Sequence, residues 1–401
     1  MKFSNILSLI FIFSAAAEIA IGRLYDERLA LFGLNISVII SAFFIFSSIL
    51  YISSIKRIKF SKPKFILFCF YSYLLIITPV LWMVYGVDEF GLLKFLNFIL
   101  ITIPISLIII EKLSYQEIKS FFMILIGLAV ILCFFAITGL FETPRPDGRI
   151  SILGGGPITF ARWMGYGVIA LLFLPYKNKY LFRFLLISMF IVYCLISGSR
   201  GPITILFFIG LFYFFLNFRK IFLKSVLFVS IIIIALLFTD IPKKISELGR
   251  TDRVFLNVSK RGGSSESTQT RFELAERSYN LTKKYPFGIG AGNWQLKANK
   301  FDSTHLMAHE YPHNLIFEIF NEYGIIAGII FLLYILHITL LGFAKMINSR
   351  KIKSSLYPFL FYLWLFLLLN AMLSGSLDDA RLLFIISCCF LTNKSLILNN
   401  E

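Results

Sequence analysis

Charged residues are scarce in this 401-residue sequence, and acidic residues are the scarcest of them. Charged side chains fill only 15% of positions, with 22 acidic residues against 39 lysines and arginines, whereas 58% of positions are hydrophobic. With a mean hydropathy of +0.81, the chain is too apolar to be a soluble globular domain. Lipid is therefore its expected solvent, and the bilayer is its first expected partner.

Metal-binding and nucleotide-binding motifs are scarce as well. The five cysteines all lie in apolar stretches without partners at zinc-site spacing, so inert buried thiols are expected. Glycines cluster at 154–156 and 288–292, but neither cluster follows a predicted strand, so neither is a nucleotide fingerprint. Glycines, which lack side chains, let the backbone approach another group closely. Close packing within the protein accounts for these clusters at least as well as phosphate contact does. The net charge of +17 is scattered between apolar runs, which disfavours nucleic acid as a partner.

Long apolar runs are what the sequence has in abundance. Backbone N–H and C=O groups in hydrocarbon must form their hydrogen bonds within the protein, which only helices and closed barrels allow. These runs are continuously apolar and do not alternate between apolar and polar residues, so they predict transmembrane helices rather than a barrel. About twelve spans are predicted, at 6–21, 29–55, 65–85, 91–110, 118–140, 158–174, 181–197, 202–218, 221–238, 314–343, 357–373 and 380–392. The first run also resembles a cleavable signal peptide, but its apolar character continues through Ile21, which favours a membrane helix.

The basic clusters between the runs predict the orientation. With a cytoplasmic N-terminus, the inside segments hold Lys56–Lys64, Lys177–Arg183, Arg219–Lys224 and Lys345–Lys353. The short outside loops hold acidic pairs instead, Asp88 with Glu89 and Asp378 with Asp379. This positive-inside bias predicts nine helices in 1–239, a large outside loop in 240–312, and three helices in 313–401.

The large loop has its own internal pattern. Residues 260–270 are polar and are expected to be flexible, whereas Arg271–Tyr285 has apolar residues at helical spacing. An amphipathic helix near the outer membrane surface is therefore predicted there. Pro286 and the glycines after it are expected to end this helix.

His313 is the candidate general base. Together with His305 and His309 it has four-residue spacing, which suggests a metal site, but Pro312 disfavours one continuous helix and no carboxylate stands at metalloprotease spacing. Neither a metal nor a cofactor is expected. Pro312 favours the first turn of a helix, where the positive dipole end keeps a neighbouring imidazole neutral and able to accept a proton. Alternatively, His313 only caps or anchors that helix.

Four arginines are predicted on the same outside face. Arg200 lies in the tight turn SGSRGP, Arg271 and Arg277 in the amphipathic segment, and Arg149 in PRPDGRISILGGGP. Arginines that converge on one candidate base, without a carboxylate pair, suit the recognition of phosphate groups. For Arg149 and Arg277, an ordinary interfacial position explains the residue equally well.

Three motifs together resemble the superfamily of O-antigen ligases and Wzy-type O-antigen polymerases. They are SGSRGP at 197–202, RFELAERSYNLTKKYPFGIGAGNW at 271–294 and YPHNLIFEIFNEYG at 311–324. The hydropathy profile, with one large outside loop before a histidine-bearing helix, is similar over nearly the whole chain. The family's pattern expects glycine, threonine or tyrosine where this chain has Ala327, which slightly disfavours the ligase branch.

The resemblance implies an all-α membrane protein of the lipid-dependent glycosyltransferase type, located in a bacterial inner (plasma) membrane with its active site facing outside. It implies transfer of a glycan from undecaprenyl pyrophosphate to an acceptor glycolipid, without metal or nucleotide, and a chain-length regulator is a possible further partner. His313 resembles the family's essential histidine, and Arg200 and Arg271 resemble the arginines that hold pyrophosphate. Arg277 and Gly288 reproduce a spacing described for polymerases. Arg149, Arg277 and Asn314 are the expected substrate contacts.

Three functions remain open from the sequence. Polymerisation, with another lipid-linked repeat unit as acceptor, is preferred over ligation to the sugar core of lipopolysaccharide. A secondary transporter would also have about twelve spans. Transporters, however, usually show related halves and polar residues near the midplane, and this sequence shows no obvious halves.

Overall fold

The computed structural model describes residues 3–22, 26–31, 33–87, 89–143, 149–175, 180–217, 263–298 and 311–397, and these are mostly helical. In chain order the helices are α1 (Phe3–Ile21), α2 (Ile36–Ile52), α3 (Lys62–Tyr85), α4 (Glu89–Asn97), α5 (Ile103–Glu111), α6 (Tyr115–Thr138), α7 (Gly156–Phe173), α8 (Tyr180–Ile196), α9 (Arg200–Leu216), α10 (Gly263–Lys284), α11 (Trp294–Ala298), α12 (Leu315–Ser349), α13 (Tyr357–Ser374) and α14 (Arg381–Leu391). A π-helical turn, Phe98–Thr102, joins α4 to α5. A short antiparallel hairpin, β1 (Ala30–Leu31) and β2 (Leu34–Asn35), precedes α2.

Among the described residues, seven helical segments are long and apolar enough to cross a membrane: α3, the continuous segment Glu89–Glu111, α6, α7, α9, α12 and α13. Four shorter apolar helices, α1, α2, α8 and α14, accompany them. The chain is therefore a multi-pass, predominantly helical membrane protein. Every predicted span except 221–238 overlaps one of these helices. Residues 221–238 lie outside the described residues, so the total of about twelve stays a prediction.

The second predicted span begins later than expected. The sequence predicted a helix from 29, but the hairpin occupies 30–35 and α2 starts at Ile36. Asn35 caps the helix, because its side-chain oxygen accepts a hydrogen bond from the backbone N–H of Ser37 at 3.0 Å. The apolar run continues across this boundary, so hydropathy alone placed the start too early.

The polar segment before Arg271 is helical where the structure describes it. The prediction of a flexible stretch at 260–270 is wrong for 263–270, because α10 already begins at Gly263. Extending an existing helix costs far less free energy than nucleating a new one. The helix that forms after 270 therefore continues towards the N-terminus through the polar residues 263–270. The helix predicted over Arg271–Tyr285 is present and ends at Lys284.

One side of α10 packs against the loop that follows it. Leu274 and Leu281 are buried in a small separate core with Ile289 and Trp294. The indole N–H of Trp294 donates to the Ser278 hydroxyl at 3.1 Å. This core positions α10 and Arg271 relative to the membrane helices.

The glycine loop after α10 docks into a break in α12. Gly324 has non-helical dihedral angles, φ 87° and ψ 174°, inside that helix. A Cβ atom at Gly288 would lie 2.7 Å from the backbone nitrogen of Gly324, and one at Gly324 would lie 2.5 Å from the backbone of Phe287. Both positions therefore need glycine, for the left-handed backbone and for the close approach.

Hydrogen bonds between the two segments replace those that the helix loses. The backbone N–H of Gly290 donates to the carbonyl of Glu322 at 2.8 Å, and that of Ile325 donates to the carbonyl of Pro286 at 2.8 Å. A break in a membrane helix is tolerated where other protein groups satisfy the freed backbone. Of the two roles considered for this glycine cluster, close packing is the one that these contacts show.

Candidate active site

The C-terminal end of α13 organises one end of the helical bundle. The last carbonyls of a helix have no partners within it. Here Met372 accepts from the Asn314 side chain at 2.9 Å, and Ser374 accepts from the Arg162 guanidinium at 2.8 Å. The Tyr311 hydroxyl also approaches the Ser374 carbonyl, at 3.5 Å. The segment 311–314 is thereby fixed to the start of α7 and the end of α13.

His313 lies in this segment, half-buried and immediately before the residue that caps α12. Its backbone is in the left-handed region, with φ 52°, which is uncommon for a residue other than glycine. The Tyr311 ring contacts the imidazole, with ring centroids 4.1 Å apart. Strained backbone of this kind, at a cost of about 1–3 kcal/mol, is concentrated at functional sites.

Burial and two arginines keep the imidazole neutral. Burial is the larger cause, and the positive charges of Arg271 and Arg162 add to it, so that the pKa of His313 is lowered from 6.5 to about 4. The sequence predicted a neutral histidine from the helix dipole, with Pro312 in the first turn. The helix instead begins at Leu315, and Pro312 lies before the cap. Neutrality therefore follows from tertiary burial and neighbouring cations.

Arg200 and Arg271 are both exposed, and neither forms an ion pair within the described part of the chain. Arg200 is the first residue of α9, and the neighbouring Gly201 lies against Leu373 near the end of α13. Arg271 on α10 is close enough to His313 to affect its pKa. The structure thus brings Arg271 to His313 and places Arg200 at the same end of the bundle.

The other predicted contacts occupy different environments. Arg149 is half-buried, and its side chain lies against Gly198, 3.5 Å from a Cβ at that position. It therefore adjoins the turn that holds Arg200. Arg277 is half-buried on α10, six residues beyond Arg271. Asn314 caps α12, accepting from the backbone N–H groups of Ile316 and Phe317 at 2.9 and 3.2 Å.

A pocket of about 220 Å³ adjoins Tyr311. Aromatic and polar side chains line it, among them Trp294, Gln295, Tyr311, Glu318, Glu322 and Asp379. Asp379 lies 3.9 Å from the Arg162 guanidinium, which connects the pocket wall to the surroundings of His313. Carboxylates accept hydrogen bonds from hydroxyl groups, so this lining suits a polyhydroxylated ligand.

Comparison with protein families gives one match, over part of the chain. Residues 184–332 match the family model described as O-antigen ligase. The match covers less than half of the chain, and over these residues the chain is similar to O-antigen ligases. The matched residues include Arg200, Arg271 and His313, and they support a membrane enzyme of the glycosyltransferase or ligase type. The comparison with curated proteins gives no match.

Two largely buried clusters of paired charges were not singled out from the sequence. Lys94, on α4, forms ion pairs with Glu318 and Glu322, and all three side chains are buried. The second cluster is formed by Arg381 with Glu18 and Asp378. Ionisable residues inside apolar helices, with Glu318 and Glu322 one turn apart, were the available signal.

Arg162 was missed as well. It is the lone arginine of α7, half-buried, and donates to the Asn370 carbonyl at 3.3 Å in addition to Ser374. An arginine within an otherwise apolar span is by default a functional candidate, and this rule would have found it. Only the fold, however, places it beside His313.

The spacing of three histidines suggests a metal site, but the structure describes only one of them. His305 and His309 lie outside the described residues. Among the residues that the structure does describe, no group of three or more His, Cys, Asp or Glu side chains is placed to hold a metal ion. The expectation of a metal-independent reaction therefore stays a prediction.

Proposed function

We infer that this protein is a membrane glycosyltransferase that moves a glycan from undecaprenyl pyrophosphate to a hydroxyl of an acceptor glycolipid. The observation that carries the proposal is His313: a neutral imidazole on strained backbone, contacted by Tyr311 and subject to the charges of Arg271 and Arg162. The acceptor would be another lipid-linked repeat unit, which makes the reaction a polymerisation. The bundle would be of the lipid-dependent glycosyltransferase type, with about twelve spans and the site on the outside of a bacterial inner membrane.

The reaction is a direct displacement at the anomeric carbon. The acceptor hydroxyl gives its proton to His313 while its oxygen bonds to the anomeric carbon, and the bond from that carbon to the pyrophosphate oxygen breaks with its electron pair. Arg200 and Arg271 stabilise the charge on the leaving pyrophosphate. Because attack and departure occur on opposite faces, the configuration at the carbon inverts.

Donor binding itself strengthens the base. In the free protein, burial and the added charges of Arg271 and Arg162 hold the pKa of His313 near 4, where the imidazole is neutral but weakly basic. An anionic pyrophosphate beside Arg271 offsets the part of the shift that is due to positive charge and so raises the pKa of His313. The base becomes stronger when the leaving group is in place.

The pocket beyond Tyr311 is the proposed position of the acceptor sugar. Its carboxylates can accept hydrogen bonds from hydroxyls, and Tyr311, which lines it, also contacts the imidazole of His313. Arg149, Arg277 and Asn314 are proposed to contact the substrates at its edge, and a chain-length regulator is a proposed further partner. Neither a metal nor a cofactor takes part in this scheme.

Ligation to the lipopolysaccharide core is the second candidate, favoured by the family description O-antigen ligase. The two reactions share the donor and His313 and differ in the acceptor. Supplying purified protein with lipid-linked repeat units alone distinguishes them. A ladder of longer glycans supports polymerisation, and transfer only after core lipid is added supports ligation.

The test of the mechanism separates binding from chemistry. In nanodiscs with lipid-pyrophosphate glycan and acceptor, His313→Ala should lower the transfer rate by roughly 10²–10⁴-fold, the usual contribution of a general base. Donor affinity should change little, because the base contacts the acceptor. His309→Ala is the matched control and should retain transfer. Ordinary activity in His313→Ala would reduce His313 to a residue that orders the start of α12.

A further inference from the structure

A second pocket lies at the end of α12 opposite to His313. Helices α7, α9 and α12 end there and α13 begins, and together they enclose about 200 Å³. Complete small-molecule sites usually measure roughly 300–1,000 Å³, so this pocket is too small for a whole cofactor. It suits part of a larger amphiphile whose remainder lies outside the protein.

One side of the pocket is basic. Arg350 and Lys353 line it, both are exposed, and neither forms an ion pair with another residue in the described ranges. Lys351, between them in sequence, is also exposed but does not line the pocket. Two cations that face one small cavity without protein counter-ions favour an anionic occupant.

A tyrosine hydroxyl in the pocket wall points to the same kind of ligand. Tyr362 lines the pocket and is only 2% exposed, yet its hydroxyl makes no hydrogen bond to any residue that the structure describes. Its ring is stacked on Phe173, with centroids 4.2 Å apart, and Tyr213 packs edge-on against both rings. The hydroxyl is thereby held in place, within electrostatic range of Arg350. A hydroxyl that lines a pocket and has no partner among the described residues can donate to a ligand oxygen.

The other side of the pocket is apolar and reaches the lipid-facing surface. Leu216 and Met346 contribute to the wall, and Leu172 and Ile352 are 48% and 40% exposed at its margin. Leu172 lies near the end of α7, which is long and apolar enough to span the membrane. The anionic head of an amphiphile would contact the basic side of the pocket, and its apolar tails would contact the apolar side.

From these observations we propose that the pocket binds an anionic phospholipid. The phosphodiester lies between Arg350 and Lys353 and accepts a hydrogen bond from Tyr362, and the acyl chains follow Leu172 and Ile352 into the bilayer. Basic pockets between membrane helices bind lipid head groups in this way. The site is remote from His313 and does not depend on the proposed transfer reaction.

The test measures lipid binding by purified full-length protein. Native mass spectrometry and thermal unfolding in detergent are followed while phosphatidylglycerol or phosphatidylcholine is added. Phosphatidylglycerol should remain bound and raise the unfolding midpoint, and phosphatidylcholine should do neither. The double variant Arg350→Gln, Lys353→Gln should bind phosphatidylglycerol roughly thirtyfold more weakly, at about 1 kcal/mol for each basic group. Tyr362→Phe, which preserves the packing, should also weaken binding.

Lys351 provides the matched control for the double variant. Lys351→Gln removes a neighbouring charge outside the pocket and should leave the affinity unchanged. An equal loss in Lys351→Gln and in the double variant would show non-specific attraction to basic residues and overturn the proposal. Glycerol phosphate serves as the free-phosphate probe. If it stabilises the protein as well as phosphatidylglycerol does, the site binds a soluble phosphate and not a lipid.

Discussion

Arg162 and Arg200 lie at the same end of the bundle but differ in burial and in their partners within the protein. Arg162 is half-buried, donates to the carbonyls of Asn370 and Ser374, and lies 3.9 Å from Asp379. Arg200 is exposed and has no ion pair with any described residue. The first holds the site together, and the second is available to a ligand.

The same division separates Lys94 from Arg271. Lys94 is enclosed between two carboxylates, whereas Arg271 extends from the surface of α10 and acts on His313 from outside. Buried cations with protein partners should therefore control stability, and exposed cations should control donor binding. Variants that alter one property without the other test this distinction.

The largest effect is expected at Lys94. Lys94→Met leaves Glu318 and Glu322 buried without their cation, and breaking a buried pair in this way costs about 3–5 kcal/mol. Thermal unfolding in detergent should show a strongly lowered midpoint. Lys283→Met, at an exposed position of α10, should change it little. A Lys94→Met protein as stable as its parent would show that the buried cluster is not structural.

The exposed arginines should show the opposite pattern. Arg200→Ala and Arg271→Ala should weaken donor binding and transfer together by about tenfold to a hundredfold, because hydrogen bonds to charged groups contribute roughly 1.5–3 kcal/mol. The unfolding midpoint should stay nearly unchanged. Lysine at either position should restore only part of the loss, since it lacks the bidentate fork. Arg277→Ala should be milder.

Normal donor binding and transfer in both alanine variants would contradict the pyrophosphate assignment. A lowered unfolding midpoint in either would contradict the distinction between the two sets of cations.

The glycine contact should affect stability by an intermediate amount. Gly324→Ala places a Cβ against the backbone of Phe287 and requires alanine to adopt φ 87°, at a cost of about 1–3 kcal/mol. Gly210→Ala is the matched control, because that helical glycine has nothing within 4 Å of its Cβ position. It should be neutral or slightly stabilising. Equal midpoints for the two variants would mean that the loop does not depend on the break in α12.

A smaller effect is expected in the pH dependence. With the pKa of His313 near 4, kcat/KM should be level from neutral pH to about 5 and should fall only near 4. Because bound pyrophosphate raises that pKa, the acid limb of kcat should lie at higher pH than that of kcat/KM. Arg271→Gln removes one positive charge near His313 and should move the acid limb of kcat/KM to higher pH. An acid limb near 6.5 in the free protein would contradict the buried, arginine-flanked imidazole.

The same pKa predicts the sign of a stability change. Since the pKa of His313 is about 4 in the folded protein and 6.5 when unperturbed, the unfolded chain binds the extra proton between these values. Acidification from 6.5 to 4 should therefore destabilise the protein, and this contribution is absent above 6.5. Unfolding midpoints of His313→Ala should fall less over that interval than those of the parent.

The smallest effect is expected from metal removal. Chelators should leave transfer intact, and alanine at His305 or His309 should cost far less than alanine at His313. Equal losses at all three histidines, reversed by a divalent cation, would establish the metal site that the sequence spacing suggests.

Local sequence pattern accounts for much of the fold but sets its boundaries imperfectly. Hydropathy located the helices because an apolar run in lipid has few alternatives to a helix. It placed the start of α2 too early, since Asn35 and the hairpin before it, and not hydropathy, decide where the helix begins. It also missed the helical conformation of 263–270, which depends on the stronger helix formers that follow.

By itself, the sequence determined the helical class, the candidate histidine and the arginines around it, because these depend on residue type and on spacing within one element. The tertiary structure alone brought Lys94 to Glu318, 224 positions away, and Arg162 to His313. It also decided that His313 is neutral through burial, and that the glycines at 288 and 324 meet each other. Such pairings depend on which helix faces meet, and no local periodicity encodes that choice.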